Sequence, residues 1–230
     1  MQKAKSLKDQ NRWQLWLAIV ANAVAFYLLM QWDAITIDGV KTLITKAANI
    51  LPLGLAIVVV TVINGQLSAD MKARIVFLRW RHALPGHRAF SDLAPRDPRI
   101  DMDRLKKVCG NKLPDDPDQQ NKVWYGLYKP LQNQPSIEHV QRDFLLMRDY
   151  ACFVALATIG FGLAAFVELT SVQVASWYVG AMIGQFLVVR QAAANYGSRF
   201  VTTVMAEKAA STPAPRPRVK AATGSRSAER

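Results

Sequence analysis

The chain has 230 residues, 51% of them hydrophobic and 20% charged, with a formal net charge of +12. A mean hydropathy close to zero conceals long uncharged blocks alternating with very polar ones, the profile of a membrane protein rather than of an evenly mixed soluble domain. The only cysteines, Cys109 and Cys152, form no paired motif, and with three histidines they exclude a disulfide framework and a zinc module of the CxxC type.

Residues 1–12 are polar and basic. The first apolar block, WQLWLAIVANAVAFYLLM at 13–30, is uncharged and long enough to span, with Trp13, Trp16 and Trp32 near its ends, where indole rings favour the headgroup zone. The basic start and the small residues at 21–25 also resemble a signal peptide, but the apolar run continues through FYLLM, where a cleaved signal hands over to polar sequence. The second block, AANILPLGLAIVVVTVIN at 47–64, reads as the return pass, with Pro52 near its start, where a missing backbone donor is tolerated.

Residues 65–149 form an insert that is thin for an independent core, so it is expected to pack against helix extensions or neighbouring subunits. In SADMKARIVFLRWRHAL the apolar residues Met71, Ile75, Leu78 and Leu84 predict that the second span continues as a helix until Pro85-Gly86 stops it. Asp97-Pro98 and Asp116-Pro117 each have the form of an N-cap followed by a first-turn proline. PDQQNKVWYGLY at 117–128 places Val123, Trp124, Leu127 and Tyr128 on one side of an amphipathic helix. A helix from Ser136 is expected to run without a break into the third block, YACFVALATIGFGLAAFV at 150–167. The fourth block, VASWYVGAMIGQFLVV at 174–189, is the shortest and is closed by Arg190, so the second pair of spans occupies 150–190. A helix end follows over 191–210, and the Pro-, Ala-, Ser- and Arg-rich tail of 211–230 is expected to be disordered.

Charge sets the expected orientation. Lys and Arg number four against one acid before the first span, fifteen against eleven over 65–149, and eight against two from Arg190 onward. The short connections 31–46 and 168–173 carry two basic residues against three acidic ones. The positive-inside rule then places both termini and the insert in the cytoplasm of a bacterial inner membrane. The predicted fold class is an all-α integral membrane protein, with four transmembrane helices and a helical cytoplasmic insert between helices 2 and 3.

RWRHALPGHRAF at 79–90 is the densest candidate site. Arg79, Arg81 and Arg88 offer charge-assisted bonds to phosphate, His82 and His87 are titratable donors, and Trp80 and Phe90 are stacking surfaces. The plainer reading is a juxtamembrane collar attracted to anionic lipid headgroups; the sharper one is a phosphate-bearing ligand such as a nucleotide. No phosphate-binding glycine loop accompanies it. Asp97, Asp101 and Asp103 lack the spacing of a calcium loop and, interleaved with Arg96, Arg99 and Arg104, read as salt bridges and caps. His82 and His87, five apart across a Pro-Gly turn, make a poor metal pair, and Lys neighbours are expected to lower the Cys109 pKa without a catalytic base nearby.

Within the spans no Asp, Glu, Lys or Arg occurs, which argues against a proton relay or voltage sensor. Gly180 and Gly184, four apart, with Gly160 and Gly162 in the third span, permit close helix approach, either inside one bundle or between subunits. Gln185 follows, and a line of Asn22 or Gln185 at an oligomer axis would wet a narrow pore.

The sequence carries no catalytic constellation, and no enzyme, metal or cofactor is expected from it. The expected function is an oligomeric pore-like or membrane-perturbing effector controlled through its insert by a cytosolic protein or nucleotide signal. Nucleic acid is not an expected partner. By class analogy alone, small four-span proteins of this kind resemble membrane effectors of bacterial stress or phage defence. The alternatives are a membrane anchor that recruits a cytosolic partner and an enzyme acting on lipid or nucleotide headgroups through His82 or His87.

Overall fold

The computed structural model of the chain describes residues 12–39, 41, 50–169 and 171–211. The expected basic N-terminus before residue 12, positions 47–49 of the second span and the tail from 212 lie outside the described residues. Among the described residues every regular element is helical.

The first apolar block forms α1, Arg12–Met30. Ile19, Ala23, Phe26 and Tyr27 are buried at helical spacing, while Leu17, Val20 and Val24 on the other faces are about half exposed. The outer face is therefore as apolar as the inner one, which suits a lipid surrounding and not water. After the short α2, Trp32–Asp38, the second block forms α3, Ile50–Gln66, with Val60 turned into the bundle and Leu55, Val58 and Val62 turned out. The last two blocks lie within α7, Pro135–Glu168, and α8, Val172–Ala210, which pack antiparallel along each other. Leu163 and Val167 of α7 and Trp177 and Val188 of α8 are exposed in the same way. Three helices are long and apolar enough to cross a membrane, or four if α3 is counted with the helix after it. The chain is thus consistent with a multi-pass membrane protein.

The predicted continuation of the second span does not form. α3 ends at Gln66, and α4, Ala69–Phe77, leaves it at 104°. Ser68 is the reason: its extended backbone stops the first helix, and its side chain accepts from Met71 N at 3.2 Å, capping the second. The buried face of α4 is Lys72, Ala73, Val76 and Phe77, whereas Met71 and Leu78 of the predicted stripe are exposed. Leu78 is left-handed, which ends α4 well before Pro85-Gly86.

Beyond α4 the chain makes tight helical turns over Pro85–Arg88, Ala89–Leu93 and Ala94–Arg96, then α5, Met102–Val108, and α6, Pro117–Tyr128. Asp116 caps α6 as its sequence predicts, accepting from Gln119 N at 3.0 Å. Asp97-Pro98 starts no helix, because both Asp97 oxygens are taken by Arg99; Asp101 caps α5 instead, accepting from Asp103 N and Arg104 N. Asp101 thus serves as a cap and as a salt-bridge partner to Arg104, and Asp97 as a salt-bridge partner to Arg99.

Two cores result. One joins α1 and α3 to the apolar halves of α7 and α8. The other joins α4, the tight turns, α5 and α6 to the remaining halves of the same two helices. In the second core Trp124 stacks on Tyr128, meets the edge of Phe200 and donates from Nε1 to Val201 O at 3.3 Å, fixing α6 on α8. Two glycines make this layer close. A Cβ at Gly197 would lie 2.8 Å from the rings of Phe77 and Phe144, and one at Gly86 would strike Asn121.

Candidate functional site

The site is built around the elbow between α3 and α4. The bend is pinned from both sides by one residue of α7. Asn64, at the end of α3, donates from Nδ2 to Asp149 O at 3.2 Å, and Lys72, in α4, reaches Asp149 Oδ1 at 3.1 Å. The same oxygen accepts from Arg148 Nη2 at 2.9 Å and Nε at 3.1 Å. Lys72 and Arg148 are both buried, so two cations share one carboxylate in a low-dielectric place. At the far end of α4, Arg190 of α8 donates from Nη1 to Val76 O at 3.1 Å, filling one of the carbonyls a helix C-terminus leaves open.

The elbow presents the loop 78–84, and here the six predicted contact residues separate into three groups. Trp80 is 80% exposed and Arg79 and Arg81 are exposed, with the Arg74 guanidinium 5.6 Å from the centre of the Trp80 ring. Leu78, 63% exposed, completes an apolar tip among three arginines. His82 and His87 turn instead toward α6: His82 Nε2 is 3.6 Å and His87 Nδ1 3.4 Å from Asp118 Oδ1, and His87 Nδ1 also donates to Pro117 O at 3.1 Å. The geometry gives both histidines the role of holding the loop on α6.

Arg88 turns inward. Its guanidinium lies 5.1 Å from the centre of the Phe77 ring and 3.8 Å from Asp92, and its Nη1 is buried without a partner. Burial pulls the Arg88 pKa below its ordinary value, the charge of Arg79 adds to this, and Asp92 opposes it. Arg88 therefore belongs to the inner lining of the loop, and the outward charge is that of Arg79 and Arg81, since Arg74 is half-buried and paired with Asp70 Oδ2 at 2.7 Å. Phe90 is buried and offers no stacking surface.

The glycine pair of α8 faces outward. A Cβ at Gly180 or Gly184 would meet nothing within 4 Å, whereas a Cβ at Gly162 of α7 would lie 3.3 Å from Val179 of α8, so the glycine eases that approach. Close packing inside the chain therefore uses Gly162 and leaves Gly180 and Gly184 free. Gln185 donates from Nε2 to Tyr150 Oη at 2.7 Å within the same chain. Asn22 likewise donates to Ala18 O at 2.8 Å. Cys109 also reverses its expectation: burial pushes its thiol pKa up, and no effect of the neighbouring lysines offsets it.

Sequence reasoning missed Asp118, Asp149 and Gln120. Gln120 is buried and accepts from Phe90 N and Ser91 N at 3.0 and 3.2 Å, tying the tight turns to α6. It stands one turn before Trp124 on the buried face, and that spacing was its signal. No group of three or more His, Cys, Asp or Glu among the described residues is arranged to hold a metal ion. No family model, no curated protein and no solved structure matches the chain.

Proposed function

We propose that this chain is a non-enzymatic, multi-pass protein of a bacterial inner membrane, with both termini and the 65–149 insert cytoplasmic. It acts as a membrane-perturbing effector through its elbow. α1, α3 and the apolar halves of α7 and α8 are its four spans, and copies associate through the open Gly180 and Gly184 face. The observation that carries the reading is the 104° turn between α3 and α4. With α3 along the bilayer normal, α4 lies near the membrane plane. Leu78 and Trp80 then enter the headgroup boundary while Arg79 and Arg81 meet lipid phosphate, the arrangement of an interfacial amphipathic segment. Because α7 and α8 carry both cores without a break, a cytosolic protein or nucleotide signal received by the insert acts on rigid helices that continue into the spans.

A second reading, a passive anchor that recruits a cytosolic partner, is favoured by Asn22 and Gln185, whose amides each donate to a partner inside the chain. Overproduction separates the two. The effector should depolarise cells, and the double variant Leu78→Ser with Trp80→Ser should reach the membrane at wild-type level without depolarising them. A wild-type chain that integrates fully and leaves the potential unchanged would overturn the effector in favour of the anchor.

A further inference from the structure

The first core leaves a hollow of about 620 Å³ on the side of the bundle where α7 ends, lined by Phe26 and Met30 of α1, Ala56 and Val59 of α3, and Phe161 and Ala164 of α7. That volume lies in the ordinary range for small-molecule sites, about 300–1,000 Å³. Its walls are apolar except for Glu168 at the last turn of α7. Among the described residues no ion pair or hydrogen bond engages the Glu168 carboxylate, and the residue is exposed. Gly160 also lines the hollow, and a Cβ there would meet nothing within 4 Å, so the space continues to the helix backbone.

We infer that this hollow holds one acyl chain of a membrane lipid whose headgroup ends in an ammonium. The apolar walls accept the chain, and the carboxylate at the mouth forms a charge-assisted hydrogen bond with the ammonium while repelling a headgroup of net negative charge. The headgroup end is at the membrane surface and the pairing is partly hydrated, so the selectivity is modest, about threefold to fivefold. The inference rests on the reading of α1, α3 and α7 as spans, and it concerns the membrane face opposite the elbow.

The test is lipid retention by the full-length chain purified in mild detergent after equilibration with equal amounts of phosphatidylethanolamine and phosphatidylglycerol. The wild type should retain the ammonium lipid in about threefold to fivefold excess. Glu168→Lys should reverse the preference. Gly160→Leu, whose Cβ enters open space in the hollow, should lower retention of both lipids at an unchanged melting midpoint. Ala56→Phe fills the same space from α3 and guards against a local effect on α7. Equal retention of the two lipids by the wild type, an unchanged ratio in Glu168→Lys, or undiminished retention in both filled variants would overturn the inference while leaving the spans in place. A chain recovered from the soluble fraction would overturn the multi-pass reading and the hollow with it.

Discussion

Asp149 accepts from Lys72 and from two nitrogens of Arg148 through one carboxylate oxygen, and its backbone carbonyl accepts from Asn64. Removing it strands two buried cations, so Asp149→Ala should cost about 3–5 kcal/mol in denaturant unfolding. Adding Lys72→Met should recover part of that loss, a coupling that a double-mutant cycle measures directly. Asp97 offers a pH signature. The hydrogen bonds from Arg99 hold its carboxyl well below the usual carboxylate range, against a smaller opposing effect of burial. A depressed folded-state pKa stabilises the fold above the unfolded value, about 3.9, and that contribution is lost as pH falls below it. The wild type should therefore lose stability on acidification below about pH 4 more steeply than Asp97→Asn, as thermal melts across that window will read. Neither Asp149 nor Asp118 was legible in the letters, since their roles depend on partners 77 and 85 positions away for Asp149, and 31 and 36 for Asp118, which leave no local signature. Lys72 was hidden for another reason: a lysine on the apolar side of a short helix is read as that helix's polar face until its distant carboxylate is seen.

Elements were legible where one periodicity ran long enough to dominate. α1, α6, the unbroken α7 and the first half of α8 follow from uncharged runs, from Asp116-Pro117 and from the apolar side at Trp124 and Leu127. The elbow was not legible because Met71, Ile75 and Leu78 mimic a continuing stripe, while the true break depends on a single hydroxyl at Ser68 and on the remote Asp149. Two substitutions probe it. Ser68→Ala removes the cap of α4 and should cost about 1 kcal/mol while loosening protection of the amides of Met71 and Lys72 in hydrogen exchange. Gly197→Leu forces a side chain between Phe77 and Phe144 and should destabilise the layer by about 1–3 kcal/mol or more, read as a lower melting midpoint.

At the scale of the whole molecule, α7 and α8, at 34 and 39 residues, extend about 51 and 58 Å, against an apolar bilayer thickness of about 30 Å. The excess is the length on which the second core is built, so a short insert needs no core of its own. The proposed orientation predicts that a cytoplasm-only reporter after Arg230 and a periplasm-only reporter within 33–40 are both active, and activity of a periplasmic reporter near Asp92 would reverse it. Association is the remaining consequence. The outer face of α8 carries Trp177, Gly180, Ile183, Gly184, Leu187 and Val188, all exposed, with two helical positions where no side chain stands off a neighbour. Lipid fills such a face poorly compared with a second helix that can approach its backbone. A Cβ at Gly180 or Gly184 meets nothing inside the chain, so the double variant Gly180→Leu with Gly184→Leu should keep its melting midpoint and membrane level while its crosslinked dimer and larger species fall to background. A wild-type chain that runs as a monomer in mild detergent and crosslinks to no copy of itself in the membrane would remove association from the proposal. Any effect on the bilayer would then rest on the elbow of a single copy.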